Sequence, residues 1–144
     1  RWHHAAQAGR AKSYMAEELT LVSRDGLHWE LRLDMNWGLP DWHPEPPIFG
    51  FYNRRLRRHV MTVRPGWGDR RVCLQSSADF RDWSGPGLLL QPDVLDGETV
   101  EHYGMPVFPY ENVYVGLLWI FHNATSEPTR SFIRFVGWLD CQLT

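Results

Sequence analysis

Ser23-Arg24-Asp25-Gly26-Leu27-His28-Trp29 and Ser77-Ala78-Asp79-Phe80-Arg81-Asp82-Trp83 place Ser, Asp and Trp in the same register, 54 residues apart. A short carboxylate at the third position can accept from backbone N–H groups two and three residues on, which ties a turn. The Trp that closes each stretch supplies a large apolar plate for packing between sheets. A motif that recurs at about 50 residues, with several short strands in between, is the spacing of a β-propeller blade.

The flanking sequence has strand texture. Leu19-Thr20-Leu21-Val22 precedes the first motif, and Asp25-Gly26 is a hairpin signal because Gly accepts a positive φ. Pro40, Pro44, Pro46 and Pro47 predict a stiff, strand-free connection. Ile48 to Tyr52 reads as a strand, 53–57 as a turn, and Arg58 to Arg64 as its antiparallel partner. Arg71 to Ser76 is a further strand. The same order returns as Gly104–Phe108, a turn at 109–112, Val113–Phe121, a polar loop from His122 to Arg130 and Ser131–Val136. No strong amphipathic helix lies between these segments.

The expected fold is all-β, a β-propeller segment of about two to three blades of antiparallel four-stranded sheets. Residues 1–18 form an N-terminal arm or the end of a preceding blade. Residues 19–144 hold the propeller, with blade parts at 19–35, 46–84 and 103–144. So few blades cannot close a ring, so the expectation is a segment of a larger propeller, or one completed by self-association with other copies. Trp29 and Trp83 are assigned to packing.

Composition narrows the partners. The 144 residues carry 15 Lys+Arg against 17 Asp+Glu, a formal net charge of −2. Binding of nucleic acid or a membrane through net charge is therefore disfavoured. No apolar run approaches a membrane span. The two cysteines, Cys73 and Cys141, do not make a disulfide scaffold and leave the compartment open. His3, His4, His102 and His122 with those cysteines lack metal-ligand spacing, so no metal and no cofactor is expected. Arg54, Arg55, Arg57 and Arg58 read as a solvated turn.

Phe51-Tyr52-Asn53, the basic turn and Val60-Met61-Thr62-Val63-Arg64-Pro65 resemble the FY(D/N)P hairpin of five-bladed-propeller glycosidases of the glycoside hydrolase family 32 and 43 type. Trp67-Gly68-Asp69-Arg70-Arg71 and Glu101-His102-Tyr103-Gly104-Met105-Pro106-Val107-Phe108-Pro109-Tyr110 extend the likeness over roughly residues 19–144. The resemblance implies three funnel carboxylates from successive blades. The first would lie upstream of Arg1. The middle position falls on Asp41 or Glu45, without the usual Arg-Asp-Pro, and the acid Glu on Glu101.

The implied function is hydrolysis or recognition of an oligosaccharide by carboxylate acid/base chemistry. Glycoside hydrolysis needs two carboxyl groups across the scissile bond, for which Glu101 and Asp41 are the catalytic candidates. Trp42, Glu45, Arg64, Trp67, Arg70, His102 and Tyr103 are the candidates for substrate binding: aromatic rings to stack on sugar faces, polar groups to bond hydroxyls. A non-catalytic carbohydrate-binding propeller and a protein-interaction propeller remain the alternatives.

Overall fold

The computed structural model describes residues 20–32, 34–35, 45–64, 70–124 and 136–144, with Glu45 and Pro46 described by backbone alone. Every regular element among them is a β-strand: β1 (Leu21–Val22), β2 (Glu30–Leu31), β3 (Glu45–Asn53), β4 (Arg58–Arg64), β5 (Val72–Ser77), β6 (Gly87–Leu90), β7 (Val100–Gly104), β8 (Val107–Tyr110), β9 (Val113–Asn123) and β10 (Gly137–Leu143). The chain divides into two units, Arg1–Asp34 and Met35–Thr144. The expected N-terminal arm lies outside the described residues.

In the first unit β1 and β2 pair antiparallel, Leu21 opposite Leu31 and Val22 opposite Glu30. The turn between them is built by side chains. Asp25 Oδ1 accepts from the amides of Leu27 and His28, both at 2.8 Å, and Ser23 Oγ accepts from the amide of Gly26 at 2.8 Å. Gly26 takes a φ of +77°.

The second motif repeats this turn bond for bond. Asp79 Oδ1 accepts from Arg81 at 2.9 Å and Asp82 at 3.0 Å, and Ser77 Oγ accepts from Phe80 at 2.9 Å. Phe80 stands in the Gly26 position with φ +65°. The strain of that left-handed conformation is offset by packing: the Phe80 ring meets His59 at 5.0 Å and Trp83 at 5.1 Å.

The two tryptophans differ. Trp83 is buried with Met61, Val63 and Cys73, as expected. Trp29 is 61% exposed, so the packing role assigned to it is not seen. A two-stranded unit has no sheet face large enough to cover an indole.

The second unit holds two four-stranded antiparallel sheets. The first is a meander in the order β3-β4-β5-β6. Its first strand starts at Glu45, inside the segment expected to be strand-free. Pro46 and Pro47 fall where the β3–β4 register shifts between Glu45 and Phe49, a place that tolerates a residue with no N–H. The ladder ends in β6, which the sequence reading left out.

The second sheet is centred on β9. β10 lies along one edge, with Leu139 opposite Phe121 and Cys141 opposite Trp119. β7 and β8 follow each other along the other, β7 opposite residues 119–122 and β8 opposite 113–116. Leu117 N–H bonds to the Pro106 carbonyl at 3.0 Å in the step between them. Of the expected strand Ser131–Val136, residues 131–135 lie outside the described residues; Val136 is exposed and in no strand, and β10 starts at the next residue.

A core of Val72, Met105, Leu118 and Ile120 joins the sheets, with Leu90, Val100 and Val107 packed around it. Two polar bonds fix the contact. Thr62 Oγ1 donates to the Met105 carbonyl at 2.5 Å, and Asn53 Nδ2 donates to the Tyr114 hydroxyl at 2.7 Å. The result is an all-β chain of antiparallel sheets of two to four strands with no helix among the described residues.

Candidate active site

Glu101 lies within β7, opposite Phe121 of β9, rather than in a loop before the strand. The Arg70 guanidinium lies against both Glu101 and the Tyr103 ring, which puts these two on one side although the register shifts between His102 and Gly104. The Arg70 carbonyl accepts the His102 amide at 3.0 Å, which ties the approach to β5 to β7. Arg70 thereby reaches Glu101, and its Nη1 donates to Glu101 Oε2. Both side chains are 10% exposed.

The Arg70 guanidinium lies 4.7 Å from the Phe121 ring centroid and 5.5 Å from that of Tyr103. Arg64, also buried, lies 4.8 Å from the Tyr103 centroid. Each cation over a ring contributes about 0.5–2 kcal/mol, more when desolvated. The planar groups stack, and the stack holds the guanidinium in one orientation toward the carboxylate.

Arg70 and Glu101 form part of the wall of an open, polar cleft of about 350 Å³. Arg71, Gln91, Asp93 and Glu98 supply its other polar groups. Arg71 Nη1 donates to Gln91 Oε1 at 3.2 Å. The 91–99 segment bonds to itself: Asp93 Oδ1 accepts from Leu95 at 2.7 Å, and Asp96 Oδ2 accepts from the Asp93 amide at 2.8 Å. Gly97 turns the chain at φ +95°. The volume is at the small end for a ligand site, and the lining offers donors and acceptors of both signs rather than an apolar slot.

The other candidates distribute as follows. Tyr103 and Arg64 stand behind the Arg70–Glu101 pair rather than in the cleft wall. His102 is 3% exposed and does not line the cleft. Its Nδ1 has no partner among the described residues, and burial holds its pKa below the ordinary 6.5. Asp41, Trp42 and Trp67 lie outside the described residues. Glu45 is placed by backbone alone, opposite Arg64.

Sequence reading passed over Arg71, Gln91 and Asp93 as site residues. The available signal was Asp93-Val94-Leu95-Asp96-Gly97, a turn segment three residues before the candidate strand. Among the described residues no group of three His, Cys, Asp or Glu side chains is placed to hold a metal ion. No family model, no curated protein and no solved structure matches the chain.

Proposed function

We propose that the chain is part of a five-bladed propeller of the glycoside hydrolase family 32 and 43 type, and that the cleft acts on an oligosaccharide. Glu101 is the carboxyl that addresses the glycosidic oxygen, and Asp41 or Glu45, at the start of the preceding blade, is the second carboxylate. The observation that carries this reading is Glu101 itself: a buried glutamate on a strand, held by Arg70, in the wall of a polar cleft. Sugars present hydroxyls in dense arrays, and a lining of Arg71, Gln91, Asp93 and Glu98 offers matching donors and acceptors.

One observation favours recognition without hydrolysis. Arg70 already occupies Oε2 of Glu101, and a carboxyl fixed in this way has its other oxygen left to accept from a sugar hydroxyl. The experiment separates the two. The protein expressed from its complete reading frame is assayed for hydrolysis of an oligosaccharide panel and for binding to the same panel by calorimetry. Hydrolysis that falls about 10²–10⁴-fold in Glu101→Gln, with binding retained, supports the enzyme. Binding without turnover in the unmodified protein supports recognition. Turnover unchanged by Glu101→Gln removes Glu101 from the mechanism.

A further inference from the structure

The β3–β4 hairpin carries Arg54, Arg55, Leu56 and Arg57 at its tip, all exposed. The tip is held in shape from below. Asn53 Oδ1 accepts the Leu56 amide at 3.1 Å, Asn53 is itself bonded to Tyr114, and Arg57 takes the left-handed φ of +51°. Arg54, Arg55 and Arg57 have no carboxylate partner among the described residues, whereas Arg32 and Arg70 each have one.

Two other turns stand beside the tip. The His59–Phe80 contact brings the 78–82 turn alongside, and the Phe51–Tyr114 contact brings the 111–112 turn. This end of the unit carries Arg54, Arg55, Arg57, Arg58 and Arg81 against Asp79, Asp82 and Glu111. Asp79 is already committed to the amides of its own turn. The local field is positive although the chain as a whole is not.

The same end exposes apolar and amphipathic groups. Leu56 is 58% exposed, Tyr52 49%, Tyr110 60% and Val113 57%. A polyanion in solution is served by the arginines alone and leaves an apical leucine in water. A protruding leucine flanked by arginines and tyrosines matches the layering of a lipid surface: apolar apex in the acyl boundary, aromatic and cationic groups at the headgroups. Each arginine near an anionic leaflet adds its own electrostatic attraction.

We infer that this hairpin tip docks reversibly on anionic lipid, with Leu56 at the membrane boundary and Arg54, Arg55 and Arg57 on the headgroup phosphates. The cleft lies toward the opposite end of the strands, beside the start of β5 and β7. A docked molecule keeps it open to water. The inference does not depend on what the cleft binds.

The test is co-sedimentation of the full chain with vesicles of phosphatidylcholine alone and of phosphatidylcholine mixed with phosphatidylglycerol. Binding is expected to the mixed vesicles only, and to fall at least tenfold in about 0.5 M salt. Arg54→Ala with Arg55→Ala lowers the partition coefficient about 25-fold, roughly fivefold for each arginine. Leu56→Ser lowers it severalfold. These side chains are exposed, and circular dichroism confirms that the variants fold. No binding to the mixed vesicles, or equal binding to both kinds, overturns the inference. So does vesicle binding that Leu56→Ser leaves unchanged. Tighter binding of a single-stranded oligonucleotide through the same arginines would make the tip a polyanion site and reject the lipid.

Discussion

The Arg70 guanidinium donates to Oε2 of Glu101 across 31 residues of sequence, and only 10% of either side chain reaches solvent. Removing one member of a fully buried pair costs about 3–5 kcal/mol, because the remaining charge stays buried without its partner. Here the pair borders an open cleft, so Arg70→Met is expected to cost about 2–3 kcal/mol. Arg70→Lys keeps the charge and loses the planar stack on Phe121 and Tyr103, at about 1 kcal/mol. Urea unfolding of the two variants checks the order. Equal loss in both would mean that the charge contributes nothing, and no loss in Arg70→Lys would mean that the ring contacts contribute nothing.

Gly104 ends β7 where the two sheets touch. A Cβ there would run into the Pro47 ring of β3. The ring is rigid and cannot turn aside as a flexible side chain does. Gly104→Ala is expected to destabilise by about 1–3 kcal/mol, the usual range for overpacking. Gly85→Ala is the control, since a Cβ at that position meets nothing within 4 Å. Thermal unfolding that shows no difference between the two variants would contradict the close approach of β3 and β7.

Burial lowers the His102 pKa; Asp96 and a bond to the Leu90 backbone oppose that shift without cancelling it. For a base whose folded pKa is depressed, the unfolded chain takes up the proton first. The stability linked to neutral His102 is complete above the ordinary value of 6.5. It declines as the pH falls below that value toward the folded pKa. Histidine NMR is expected to show His102 still neutral at a pH where exposed imidazoles have titrated. His102→Gln should flatten the acid side of the stability profile over the same window. A ring that titrates with the exposed histidines would refute the shift.

Asp79 behaves with the opposite sign. Bonds from the amides of Arg81 and Asp82, and from Ser77, hold its pKa at about 2 against an ordinary 3.8. Asp25 is lowered for the same kind of reason, chiefly by His28 and Leu27. For an acid with a depressed folded pKa, the linked stability is complete above the ordinary value and is lost as the pH falls through the folded one. Both turns are expected to hold at neutral pH; the Asp79 turn loosens between about pH 4 and pH 2, and the Asp25 turn, whose carboxyl is held lower still, persists to more acid pH. Asp79→Ala removes that acid-sensitive step for the second turn. Amide exchange at Arg81 and Asp82 reads it directly, and exchange that does not change across the window would show that the carboxylate does not hold the turn.

The Ser-x-Asp turn was legible because it is local: every bond that builds it spans two or three residues. The same locality made most strands readable from apolar alternation and turn residues. β6, β7 and β10 were missed because Gly87–Leu90, Val100–Gly104 and Gly137–Leu143 acquire strand character from pairing with β5 and β9, not from a pattern of their own. Glu101 was recognisable as a candidate by its neighbours in sequence, but its place inside β7 depends on pairing with Phe121.

By itself the sequence determined an all-β chain of antiparallel strands with one turn made twice, since backbone geometry and short-range hydrogen bonds decide those features. Only the tertiary structure decided what each copy of the turn does. Trp29 and Trp83 close nearly the same seven-residue motif, yet the first is exposed and the second buried, because burial is a property of the strands that surround a residue. It also decided that Arg70, Arg64, Tyr103 and Phe121 stack around Glu101. Those residues come from β4, β7, β9 and the approach to β5. No spacing along the chain records an encounter that exists only once two sheets have packed.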